Sequence, residues 1–122
     1  MNIRRVVLNI QSSDFDGNRN FYENLIGLEV GMDLGWIMTF GSPSNPTAQL
    51  TVIKKDLTAP VNANLTIEVE GVDSVYASAV KNGLNIVHAL TDEPWGVRRF
   101  FVLDPNGLVV NVMSHIAKPA DS

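Results

Sequence analysis

The sequence predicts an α+β fold made of two βαβββ modules. Two observations carry this prediction. The same order of patterns, strand, helix, then three strands, occurs twice, and Gly27-Leu28 in the first copy is matched by Gly83-Leu84 in the second. The second copy also closes on a hairpin, in which apolar runs at 98–103 and 108–113 flank Asp104-Pro105-Asn106-Gly107. Asp and Pro suit the early positions of such a turn, and Gly supplies a positive φ at a late one. Neither module could bury an apolar sheet face alone, so the two must share a sheet or pair with another chain.

The elements follow in order. Residues 5–11 alternate, with Val6, Leu8 and Ile10 on one side and Arg5, Val7, Asn9 and Gln11 on the other, which is strand periodicity. Ser13 and Asp14 offer helix N-caps, and Phe15, Phe21, Tyr22, Leu25 and Ile26 fall near a helical stripe that stops at Gly27. Strands are expected at 28–32, 36–40 and 48–54, separated by Asp33-Leu34-Gly35 and by the 41–46 loop. Residues 64–70 alternate again, with Leu65, Ile67 and Val69 as the apolar face. Val72, Val75, Tyr76, Ala79 and Val80 then lie at helical spacing, ending at Gly83, and strands follow at 84–90, 98–103 and 108–113. Module one is expected over about 1–57, a linker over 58–63, module two over 64–115 and a flexible tail over 116–122, all as one domain of ordinary size.

Composition excludes several classes. Apolar residues at 45% and charged residues at 18% fit a globular chain, and no apolar run is long enough to span a bilayer, so no membrane partner is expected. The basic N-terminus is broken by Asn9, Gln11 and Ser12 before a signal-peptide core forms. Without cysteine there is no thiol catalysis, disulfide or thiolate metal site, and a cytoplasmic location is the default expectation. A net charge of −4 with no basic stripe argues against nucleic acid and is compatible with a cationic ligand.

Asp14 followed by Phe21-Tyr22 and Ile26-Gly27-Leu28 forms one marker, and Trp95-Gly96, Phe100-Phe101 and Asp104-Pro105-Asn106-Gly107 form another. Placed on the repeat, they resemble the glyoxalase/bleomycin resistance/dioxygenase superfamily, the vicinal oxygen chelate proteins, over nearly the whole chain. The resemblance implies an open, cup-shaped mixed sheet with ligands inside the cup, usually completed by dimerisation, so a homodimer is expected. In metal-dependent members four strands each supply one metal ligand, the last a Glu four residues beyond the turn Gly. Those positions fall here at Val7 (or Arg5 if the strand slips by two), at Gln49 with Thr51 on the same face, at Asn64 and at Asn111. Valine and neutral amides are poor substitutes for His and Glu around Zn or Fe. No metal and no cofactor is therefore expected, and metal-assisted chemistry is disfavoured.

Other residues extend the reading. His88 and His115 do not match the family ligand positions; a displaced metal site with Asp92 or Glu93 is the sharp alternative to an ordinary surface role. Of Arg98 and Arg99, alternation sends one into the cup, and Arg99 and Phe101 match substrate-contacting positions of fosfomycin-inactivating relatives. A guanidinium there would favour an anionic ligand, against the plain expectation of a salt bridge to Asp92, Glu93 or Asp104. Trp36, Met38, Phe40, Trp95 and Phe101 could line an aromatic pocket or simply pack in the core. Glu68 could meet a cation or act as a base, while Asn9, Gln49, Asn64 and Asn111 suggest a polar, uncharged floor. The expected ligand-binding cup face is thus Val7, Asn9, Trp36, Met38, Gln49, Asn64, Glu68, Trp95, Arg99, Phe101 and Asn111. The function expected is metal-independent binding of a small organic molecule, similar to the bleomycin-resistance branch, with antibiotics among the candidate ligands. The alternatives are a lyase, isomerase or dioxygenase-like enzyme, a glyoxalase-like lyase foremost, and a scaffold whose dimer surface is its function.

Overall fold

A computed structural model describes residues 2–117. Eight strands and two helical segments follow one another as β1 (Ile3–Gln11), α1 (Phe15–Arg19), β2 (Glu29–Asp33), β3 (Ile37–Gly41), β4 (Gln49–Ile53), β5 (Leu65–Val69), α2 (Val72–Lys81), β6 (Ile86–Glu93), β7 (Val97–Leu103) and β8 (Val109–His115). The class is α+β, as the duplicated pattern predicts. The chain divides into two compact units: residues 6–62, and residues 2–5 with 63–117. Residues 118–122 of the expected tail lie outside the described residues.

In residues 6–62 the strand order is β2-β3-β4-β1, with β1 and β4 parallel and the other pairs antiparallel. Asp14 caps α1 by accepting the Gly17 N–H at 2.9 Å. The helix then widens into a π-helical turn over Asn20–Leu25, where the Ile26 N–H reaches the Phe21 carbonyl. That turn ends at Gly27, whose φ of 96° only glycine adopts without strain. Met38, Phe40 and Val52 form the core, against which Ile10, Phe15, Tyr22, Leu28, Val30 and Leu50 pack.

The second unit repeats this plan. Its order is β5-β8-β7-β6, with the first residues of β1 beside β5, β5 and β8 parallel, and β6–β7 and β7–β8 antiparallel. Helix α2 packs on one face, where Val69, Val72, Ala79, Phe100, Val110 and Val112 are buried together with flanking Leu65, Ile67, Val75, Tyr76 and Val102. The 104–107 turn forms as expected: Asp104 Oδ1 accepts the Asn106 and Leu108 N–H groups at 2.8 and 2.9 Å. Those backbone bonds, led by Leu108, hold the Asp104 carboxyl below its usual range.

Two strands run further than their apolar patterns suggest. β6 continues to Glu93 because Thr91, Asp92 and Glu93 pair with Arg99, Arg98 and Val97, so polar cross-strand partners replace apolar ones. β8 continues to His115, paired with Val97. No helix among the described residues is long and apolar enough to cross a membrane.

Candidate functional site

Strand alternation sorts the side chains of the second unit into two faces. Leu65, Ile67, Val69, Phe100, Val102, Val110 and Val112 face α2. The opposite face carries a different chemistry. Across β5, β8, β7 and β6 the register aligns Thr66, Asn111, Phe101 and His88 in one row. The next row is Glu68, Met113, Arg99 and Thr91.

In the first row the Asn111 Nδ2 donates to Thr66 Oγ1 at 3.1 Å. Asn111 is only 9% exposed, and its Oδ1 is buried with no hydrogen-bond partner among the described residues. Phe101 is fully buried, with the His88 ring edge-on at 5.3 Å. In the second row Arg99 is buried and donates from Nε to Glu93 Oε2 at 2.6 Å, an oxygen that also meets His88 Nε2 at 3.2 Å. The Arg99 guanidinium lies over the rings of Trp95 (5.1 Å) and Phe101 (4.8 Å), a cation–π arrangement that covers the charge with aromatic surface. Arg98 points to the α2 side instead, with Nε and Nη2 on Asp92 at 2.5 and 3.1 Å and Nη1 on Asp73 at 3.2 Å. Its hydrogen bond and charge hold the exposed Asp92 carboxyl below its usual range.

At the end of the same face Glu68 is buried among Arg5, Arg4 and His115. Arg5 Nε donates to it at 2.5 Å and His115 Nδ1 at 2.9 Å, while Arg4 lies 3.6 Å away and binds Glu70 at 2.9 Å. Burial alone would raise the Glu68 carboxyl; the hydrogen bonds from His115 and Arg5, with their charge, outweigh it and hold it below the usual range. Arg4, Glu68, Val69, Glu70, Gly71, Ser114 and His115 line a cleft of about 440 Å³.

The expected site residues divide accordingly. Glu68, Trp95, Arg99, Phe101 and Asn111 gather in the second unit on or beside this face. Asn64 is corrected: it lies ahead of β5, exposed, and its Oδ1 accepts the Val109 N–H at 2.8 Å, so Thr66 holds the row position instead. Met38 is also corrected. It is 3% exposed in the core cluster of the first unit, because the same alternation that buries Phe40 and Val52 buries it. In that unit Val7 is buried, Asn9 pairs with buried Thr51, Gln49 donates to the Pro46 carbonyl at 2.7 Å, and Trp36 sits half-buried just ahead of β3. Sequence reasoning named Glu93 as one of three salt-bridge candidates for the arginine pair, and it missed Thr66 in the row and the in-strand placement of His115. The period-2 pattern of 64–70 contains Thr66, and the partners of Glu93 lie five and six residues away on the β6–β7 hairpin, whereas Glu68, which holds His115, is 47 positions distant.

The metal-ligand positions implied by the resemblance hold Val7, Gln49, Asn64 and Asn111, with their amides engaged by Pro46, Val109 and Thr66. A hydrocarbon and neutral amides do not fit a divalent cation. Among the described residues no three His, Asp or Glu side chains gather to hold one. The face offers hydrogen bonds and aromatic surface instead.

Solved structures share the fold. A glyoxalase/bleomycin resistance protein/dioxygenase superfamily member from Vibrio splendidus 12B01 is 16% identical, with a TM-score of 0.72 over 93% of this chain and 99% of that one. The Mn(II)-bound glyoxalase from Novosphingobium aromaticivorans is 22% identical, with a TM-score of 0.65 over 99% of this chain and 42% of its own length. Methylmalonyl-CoA epimerase from Mycobacterium tuberculosis is 13% identical, with a TM-score of 0.65 over 95% of this chain and 89% of that one. No curated protein matches the chain. Residues 5–117 match the glyoxalase-like domain, and the chain belongs to that family.

Proposed function

We propose that this chain binds a small organic molecule without a divalent metal, as one ligand-binding domain and as a homodimer. The observation that carries the reading is the row Thr66, Asn111, Phe101 on the face turned away from α2. It puts neutral hydrogen-bonding groups and an aromatic ring where the metal-dependent relatives place a carboxylate. Trp95, beside Arg99, adds a fluorescent reporter.

The test begins with elemental mass spectrometry on protein purified without a metal-affinity tag. No stoichiometric Zn, Ni, Fe or Mn is expected. Thermal unfolding with and without EDTA should give the same Tm, since a metal bound only to the folded state would raise it. Tryptophan fluorescence should then show saturable binding of aromatic, drug-sized compounds without product. One metal per chain would refute the reading, and light scattering of a monomer would refute the dimer.

A second reading, a proton-transferring lyase or isomerase, is favoured by one feature. The Glu68 carboxylate accepts the His115 Nδ1–H, leaving Nε2 of a side chain 57% exposed as a base in the cleft. Turnover of a ligand that stops in His115→Gln would establish it over stoichiometric binding.

A further inference from the structure

Resting on that binding reading, we infer that the ligand is an uncharged molecule that donates an N–H or O–H hydrogen bond to Asn111 Oδ1. Asn111 is nine-tenths buried, and its Oδ1 accepts nothing from the described residues. Its Nδ2 is fixed on Thr66 Oγ1 at 3.1 Å, which turns the oxygen away from that threonine. A buried acceptor without a donor is costly, and groups of this kind in folded proteins almost always find one. A carboxamide oxygen can only accept, so its complement must be a donor.

The charge state of the ligand follows from the neighbours. Arg99 is held by Glu93 at 2.6 Å, and Glu68 is held by Arg5 at 2.5 Å and His115 at 2.9 Å. Each buried charge on this face thus has its counter-charge within the protein. An anion drawn to Arg99 would compete with Glu93, and a cation drawn to Glu68 would compete with Arg5. The anion strands the buried Glu93 carboxylate, a heavier cost than the new contact returns, and the cation must displace two donors already in place on Glu68. A neutral donor disturbs neither pair.

Four probes that share one ring separate these possibilities: benzamide, N,N-dimethylbenzamide, benzoate and benzylammonium. Each is titrated into the native full chain and into Asn111→Leu and Asn111→Asp, reading Kd from amide and Asn side-chain NMR shifts. With native protein, benzamide should bind about tenfold or more tighter than the other three and shift the Asn111 carboxamide signals. Asn111→Leu should abolish that advantage, and Asn111→Asp should move the preference to benzylammonium. Benzoate or benzylammonium binding native protein as tightly as benzamide overturns the inference. So does an unchanged preference in Asn111→Leu, particularly with a raised Tm, which would make Asn111 a buried structural amide. Equal binding of all four overturns the donor rule and leaves small-molecule binding standing. Binding of none overturns both.

Discussion

Breaking the Glu93–Arg99 pair tests the architecture of this face most directly. The two residues are 4% and 5% exposed, their closest atoms are 2.6 Å apart, and His88 and two aromatic rings enclose them. Glu93→Gln keeps the shape and removes the charge that balances the guanidinium; Arg99→Met keeps the length of the stem and strands the carboxylate. Each single change takes a counter-charge away from a buried ion, which costs about 3–5 kcal/mol. The pair Glu93→Gln with Arg99→Met removes both charges together and should lie within about 2 kcal/mol of the native protein. The coupling between the two sites is then about 4 kcal/mol or more, far beyond the few tenths expected of independent sites. Urea unfolding of the four proteins measures it, and thermal scans should show each single variant lower by on the order of 10 °C. Single variants that each lose less than about 1 kcal/mol would refute the reasoning. The pair would then behave as a solvated surface bridge, and the claim that charges on this face are internally satisfied would fall with it.

Other outcomes follow from single residues. Glu68 has a depressed pKa, so its stabilising contribution is present at neutral pH and fades as the pH falls below the ordinary glutamate value of about 4.3. Glu68→Gln should cost about 1–3 kcal/mol at pH 7 and show a flatter loss of stability toward pH 3, as read by urea midpoints across pH; a variant with the same acid slope as native protein would contradict this. Gly83 closes α2 at φ 69°, with no atom near the place of an added Cβ. Gly83→Ala should therefore lose about 1 kcal/mol to backbone strain alone, and Gly83→Asn less, in matched thermal melts; equal stability of Gly and Ala would show that the turn relaxes freely.

Much of this fold is legible in local patterns. Alternation at 5–11 and 64–70, the Asp14 cap, the glycine stops at 27 and 83 and the Asp-Pro-Asn-Gly turn each act within a few residues, so the chain states them directly. The edges that failed have partners elsewhere. β6 continues through Asp92 and Glu93 because Arg98 and Arg99 await them across the hairpin, and β8 continues to His115 because Val97 pairs with it. Facing was the harder question. Alternation says that Arg98 and Arg99 diverge, but only Asp73 on α2 and Glu93 on β6 assign which goes where. Met38 belongs to an apolar run whose inward side is set by the packing of Phe15 and Tyr22.

The amino-acid pattern alone is enough for the duplicated βαβββ order and for the poor fit of Val7, Gln49, Asn64 and Asn111 to a metal, since these depend on residue type and spacing. The pairing of Arg5 with Glu68 and of Asn111 with Thr66 joins residues 63 and 45 positions apart. Such contacts depend on strand register and burial, which arise when distant segments pack, and so they are visible only in the folded chain.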